Sequence, residues 1–148
     1  MPFARFMRDF NEATIPVMHD SAQSATSRIT EAVRLHIEIS DKRRPELLRL
    51  RGFRSILSET QGREVTNMEL EYHAAMKGLV IEGCQAGEFR TPDATLATMA
   101  VLDMLNGVRS WFRQDGVLSL SEVVHTYTAM VHKLLANVTQ APGAGSRG

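Results

Sequence analysis

The sequence predicts an all-α protein built as a bundle of six helices. Apolar side chains recur at spacings of three and four through most of the 148 residues, the period of a helix buried on one face. Few segments carry strand character. Glycines, prolines and short polar runs fall between the periodic stretches, where a helical chain must turn.

The first helix spans about 3–19, with Phe3, Phe6, Met7, Phe10, Thr14 and Val17 on one face and Pro16 expected to bend it or loosen its end. Small polar residues follow from Ser21 to Ser27. A second helix carries Ile29, Ala32, Val33, His36 and Ile37 and is expected to end near Ser40, before the polar break Asp41–Arg44. Pro45 suits a first helical position, where its missing N–H costs nothing. It opens a third helix with Leu47, Leu48, Leu50, Phe53, Ile56 and Leu57, weakened by Gly52. Gly62 is expected to separate this from a long fourth helix, near 63–86, with the stripe Val65, Met68, Tyr72, Ala75, Met76, Leu79 and Gly83. Leu70, Ala74 and Ile81 widen that stripe, which predicts burial on more than one side. Gly87 is a C-cap candidate.

Thr91 or Asp93 can cap the fifth helix, which is expected to reach about Gln114 with Leu96, Met99, Ala100, Leu102, Leu105, Val108, Trp111 and Phe112 as its apolar set. After the turn Asp115–Gly116, Ser119 and Glu122 form a capping box, with Leu118 and Val123 placed as its hydrophobic staple. The sixth helix carries Val123, Val124, Tyr127, Met130, Val131, Leu134 and Leu135 to about Val138. The last two helices, joined by a short turn, are expected to form an antiparallel hairpin. Residues 1–138 then make one domain, and the small flexible residues of 139–148 a disordered tail.

Composition narrows the function classes. Seventeen basic and 17 acidic side chains leave no net charge, which argues against holding DNA or RNA by bulk electrostatics. One cysteine excludes a disulfide framework and a Cys-rich zinc site. No apolar run approaches the ~20 residues of a membrane span, and no secretory signal pattern is visible, so a cytoplasmic location is expected.

The search for chemistry finds little. Glu122 and His125 give one Glu-x-x-His pair where a di-iron bundle needs two. His125 and His132 share a helical face, and Glu69 and His73 lie four apart, but each pair needs a further ligand from elsewhere. No metal and no cofactor is expected. Cys84 reads as a packing residue or an inert thiol, and no nucleophile elbow is present, so no enzyme is expected. The Gly143–Gly148 stretch spells G-x-G-x-x-G without the strand and helix that a dinucleotide site requires. The basic run Lys42, Arg43, Arg44, Arg49, Arg51 and Arg54 reads as a solvated face, or as a contact for an acidic domain, a nucleic-acid backbone or ligand phosphates.

Two patterns stay open on the residues alone. Phe6, Phe10, Phe53, Met68, Tyr72, Met76 and Met104 are either ordinary core or the lining of an adaptable apolar pocket. In the second case His36, Tyr72, Asn106 and Arg109 are the polar residues that would orient a ligand. The last two helices are either simply core or a dimer interface, carried by Leu105, Val108, Phe112, Val124, Tyr127, Val131, Leu134 and Leu135.

The stretch Glu82-Gly-Cys-Gln-Ala-Gly-Glu-Phe-Arg90, the following Asp93, Asn106-Gly-Val-Arg-Ser-Trp-Phe112 and Asp115-Gly-Val-Leu-Ser119 before a last helix resemble the C-terminal regulatory domain of TetR/AcrR-family transcriptional regulators. The order of helices to about residue 138 matches as well. The resemblance implies the regulatory-domain type of six-helix bundle, with a cavity between the first, second, fourth and fifth helices for a small apolar or amphipathic effector of acyl-CoA or steroid-like kind. It also implies a homodimer through the last two helices, no membrane partner, and a role as a repressor. The family's N-terminal helix-turn-helix module has no counterpart here: Met1 falls at the start of what resembles the connecting helix. The chain is therefore expected to be an excised domain, the product of a shortened gene model, or a protein that lost this module, and not to contact DNA by itself. The alternative is a stand-alone helical module that binds a small molecule or dimerises without any transcriptional role.

Overall fold

The structure, a computed structural model, describes residues 2–45 and 59–136. Among them are five helices and no strand: α1 Pro2–His19, α2 Ala25–Lys42, α3 Glu59–Gln85, α4 Ala94–Trp111 and α5 Leu120–Ala136. The expected third helix, Phe53 with it, and the tail lie outside the described residues.

Helix α2 is the axis of the bundle and packs against each of the other four. Its buried residues Ala25, Arg28, Ile29, Ala32, Val33, His36, Ile37 and Ser40 form one unbroken stripe. The sequence explains how it starts. Ser24 accepts a hydrogen bond from the Ser27 N–H at 3.0 Å. Glu88, from the distant link before α4, accepts from the N–H groups of Ala25 (3.1 Å) and Thr26 (2.8 Å). These bonds satisfy amides that a helix leaves without internal partners and place a carboxylate at its positive end. They also hold the Glu88 carboxyl below the usual carboxylate range.

Arg28 fastens the opposite side of the same region. Its guanidinium donates to the carbonyls of Met18 (3.1 Å) and Gln23 (3.1 Å) and to Glu82 (3.1 Å), joining the end of α1, the loop and α3. Gly87 ends α3 with φ +79, the left-handed conformation in which a glycine carries no penalty. Phe89 then folds back under α3 and is 3% exposed. It packs so closely on Gly83 that a Cβ there would overlap the ring. Asp93 caps α4 by accepting from the Leu96 N–H at 3.0 Å. Ser119 and Glu122 exchange hydrogen bonds of 2.9 and 3.1 Å at the start of α5, a closed capping box. The Arg90 N–H donates to the Leu135 carbonyl at 2.7 Å, tying the segment before α4 to the last turn of α5.

Several boundaries differ from expectation. Asp41 and Lys42 continue α2, and Gly62 sits inside α3 rather than before it. Asp41 is half-buried and Lys42 exposed, and a Cβ at Gly62 would meet open space; at these positions packing on the rest of each helix outweighs a weak helix former. Helix α1 keeps its expected span, running through Pro16 to His19. Helix α4 stops at Trp111, because Phe112 adopts extended backbone and turns into the core. Leu70 is 61% exposed and Ile81 borders solvent, so α3 is not buried on a second side.

The residues expected at a dimer interface divide by burial. Leu105, Val108, Phe112, Val131 and Leu135 are at most 3% exposed and pack in the chain's own core, so they present no surface to a second copy. Val124, Tyr127 and Leu134 are half-buried against that core. The outward apolar side chains of the α4–α5 region are Leu96, Met99, Trp111, Val117, Leu118 and Met130, with the Trp111 ring 6.1 Å from that of Tyr127.

Candidate functional site

A cavity of about 340 Å³ opens among α1, α2, α3 and α4. The helical period builds its walls. Phe6, Met7 and Phe10 come from one face of α1, and His36 and Ser40 from successive turns of α2. Glu69, Leu70, Tyr72 and His73 come from α3, and Met99, Leu102, Asp103, Asn106 and Arg109 from one face of α4.

The inner wall is aromatic. The Phe10 ring meets His36 edge-on at 5.1 Å and Tyr72 at 4.9 Å, and Phe6 lies 5.8 Å from Phe10. Arg43 covers the outer face of Phe6 at 4.9 Å while pairing with Asp9 at 2.9 Å.

A hydrogen-bonded row crosses this wall. His36 Nδ1 lies 2.7 Å from the Tyr72 hydroxyl and Nε2 lies 3.0 Å from Asn106 Oδ1. Oδ1 can only accept, so Nε2 carries the proton and Nδ1 accepts from Tyr72. The row therefore has one proton order: Tyr72 O–H to His36, His36 N–H to Asn106. It links α3, α2 and α4 through a single side chain of the central helix. Burial pushes the His36 imidazole down to about 4, with Arg109 adding to the lowering and the Asn106 hydrogen bond opposing it. Burial likewise pushes the Tyr72 hydroxyl up. The imidazole is neutral at neutral pH.

The nine residues expected at a ligand site divide as follows. Phe6, Phe10, His36, Tyr72, Asn106 and Arg109 all line the cavity. Met76 lies one turn beyond Tyr72 and is fully buried in the core beneath it. Met68 is half-buried against the core, and its carbonyl accepts from the Asn11 amide at 3.0 Å. Phe53 lies outside the described residues. Reasoning from sequence missed Met7, Ser40, Glu69, Leu70, His73, Met99, Leu102 and Asp103. Two signals could have found some of them: Ser40 lies one turn beyond His36, and 99, 102, 103 and 106 share a helical face.

The other candidates resolve differently. His132 donates from Nε2 to the Thr30 hydroxyl at 2.7 Å, since that hydroxyl already donates to the Thr26 carbonyl. Among the described residues, no three His, Cys, Asp or Glu side chains are grouped to hold a metal ion. Of the basic run, Arg43 pairs as above and Arg44 donates to the Phe112 carbonyl. Arg49, Arg51 and Arg54 lie outside the described residues. No described helix is long and apolar enough to cross a membrane.

Residues 22–135 match the family described as "Tetracyclin repressor-like, C-terminal domain". The fold is similar to that of the TetR-family regulator PfmR from Thermus thermophilus, with a TM-score of 0.81 and 20% identity over 89% of this chain and 71% of that one. It is similar to a TetR/AcrR-family regulator from Thermobifida fusca, with a TM-score of 0.72 and 25% identity over 88% of this chain and 68% of that one. It is also similar to AibR in complex with isovaleryl coenzyme A and operator DNA, with a TM-score of 0.77 and 17% identity over 88% and 71% of the two chains. No curated protein sequence matches.

Proposed function

This chain belongs to the family of tetracyclin repressor-like C-terminal domains, and on that premise we propose that it is the effector-sensing and dimerisation domain of a TetR-type transcriptional repressor. The observation that carries the reading is the cavity and its Tyr72–His36–Asn106 row, which joins three helices around the α1 side chains Phe6 and Phe10. A ligand seated there touches four helices at once. Its binding does regulatory work to the extent that its affinity differs between two positions of α1. The effector in this reading is a small apolar or amphipathic molecule of acyl-CoA or steroid-like kind. Support comes from the apolar wall, and from AibR, whose structure holds isovaleryl coenzyme A together with operator DNA. The domain works in the cytoplasm, senses without catalysing, and pairs with a second copy through the outward apolar surface of α4 and α5.

A thermal-shift screen of the purified chain against acyl-CoA, steroid and aromatic compounds tests the proposal. Binders whose stabilisation is lost in Phe10→Ala and Tyr72→Ala support it. A screen without any binder removes the sensing role.

A further inference from the structure

The cavity sorts its lining by charge. Phe6, Met7, Phe10, His36, Ser40, Tyr72 and Leu102 are the buried lining residues, each at most 8% exposed, and none carries a charge at neutral pH. The ionised residues Glu69, Asp103 and Arg109 stand on the half-buried or exposed rim.

We infer that the cavity takes a molecule whose inner end is uncharged and carries a hydroxyl or carbonyl oxygen, as in an alcohol, ketone or ester, and that it rejects a carboxylate or an ammonium group there. The inference rests on the reading of the cavity as the effector site. An ionised group at the inner wall would leave water and find no opposite charge among the buried lining residues, the Arg109 charge acting on it only from the rim, so it would carry a desolvation cost. His36 does not supply that charge, because its burial keeps the imidazole neutral down to about pH 4.

Two hydroxyls can read an uncharged oxygen. Ser40 lines the cavity at 4% exposure, one turn beyond His36, and its hydroxyl has no hydrogen-bond partner among the described residues. A hydroxyl on the cavity lining without a protein partner can donate its proton to a ligand oxygen. Tyr72 spends its proton on His36, so its oxygen keeps lone pairs for a ligand O–H. A ligand hydroxyl can use either group, and a carbonyl uses Ser40. Among the buried lining residues a carboxylate would find no cation and an ammonium no carboxylate. The outer end of the molecule lies among Glu69, Asp103 and Arg109, the charged part of the lining.

Calorimetric titration of the whole chain at pH 7.5 with 1-octanol, 2-octanone, octanoate and octylamine tests this. The alcohol and ketone are expected to bind at least about tenfold more tightly than the two ions. Ser40→Ala, with its helix content verified by circular dichroism, is expected to weaken the alcohol and ketone by about tenfold and leave octanoate unchanged. Should Ser40→Ala fail to fold, the selectivity of the unaltered chain decides alone. Octanoate or octylamine binding as tightly as the alcohol overturns the inference and leaves the cavity as an effector site. If none of the four binds, the underlying reading of the cavity fails, and the inference with it.

Discussion

The imidazole of His36 accepts the Tyr72 hydroxyl proton at 2.7 Å, and the pair holds only while the ring is neutral. Stability should therefore depend on pH in a definite window. The folded ring binds a proton only near pH 4, whereas in the unfolded chain it does so near 6.5. Between those values the unfolded state binds more protons, so stability falls as pH drops from 6.5 towards 4, by up to about 3 kcal/mol. His132, lowered by burial, adds in the same direction. Glu31, Glu88 and Glu122 are all held below 4.5, so their losses come at lower pH. Urea unfolding at pH 7.5, 6, 5.5 and 5 measures the slope. The slope should flatten in His36→Gln, and an unchanged slope there would refute the assignment.

Gly83 should resist even alanine. In the middle of a solvent-facing helix the change would gain about 1 kcal/mol of propensity. Here the added methyl group overlaps the buried Phe89 ring, and overpacking of this kind costs roughly 1–3 kcal/mol. Gly83→Ala is expected to lower stability in the unaltered chain and to raise it in a Phe89→Ala background. The same sign in both backgrounds would show that the ring is not the cause.

Arg28 should matter far more than its partner Glu82. The Arg28 side chain is 8% exposed and Glu82 51%. Arg28→Met leaves the Met18 and Gln23 carbonyls without their donor, at a cost of about 2–4 kcal/mol. Glu82→Gln, at an exposed pair, should cost at most about 1 kcal/mol. Chemical denaturation of the two variants compares them, and equal losses would mean the ion pair, not the carbonyls, carries the effect.

Ser119→Ala removes one half of the box that starts α5 and should cost about 0.5–2 kcal/mol. Hydrogen exchange resolves where: amides in the first turn of α5 should lose protection before those of α4.

Pairing with a second copy is tested best on the outward surface. Trp111→Glu combined with Met130→Glu should yield a folded monomer by sedimentation at micromolar concentration. Val131→Glu or Leu135→Glu should unfold the chain instead, because both side chains are fully buried within it. A folded double variant that sediments as the unaltered chain does would exclude this surface.

How much of this was legible in advance follows from the range of each interaction. Gly87, Asp93 and the Ser119–Glu122 box act within four residues of themselves, so sequence suffices to read them. The face of α1 and the place of His36 follow from helical phase, which is also local. What the stripe of an amphipathic helix does not name is its partner. Leu105 and Val131 fit an interface with another chain as well as they fit their own core, and only the path of α2 between the helices decides. Glu88 on α2 and Arg28 on Met18 join residues through a loop or across sixty positions, with no local trace. The cavity itself depends on which turn of α3 the neighbouring helices leave uncovered: Tyr72 lines it, while Met76, one turn on, fills the core.

The bond from Arg90 to Leu135 is made by main chain alone, and the Arg90 side chain is exposed. Almost any replacement at 90 therefore keeps the fastening intact, and a survey of tolerated substitutions would draw this position as a blank. Proline, with no N–H to give, is the single residue that would reveal it. A place where two segments of this domain are joined is thus hidden from the usual reading of mutational tolerance, since what matters there belongs to every amino acid but one.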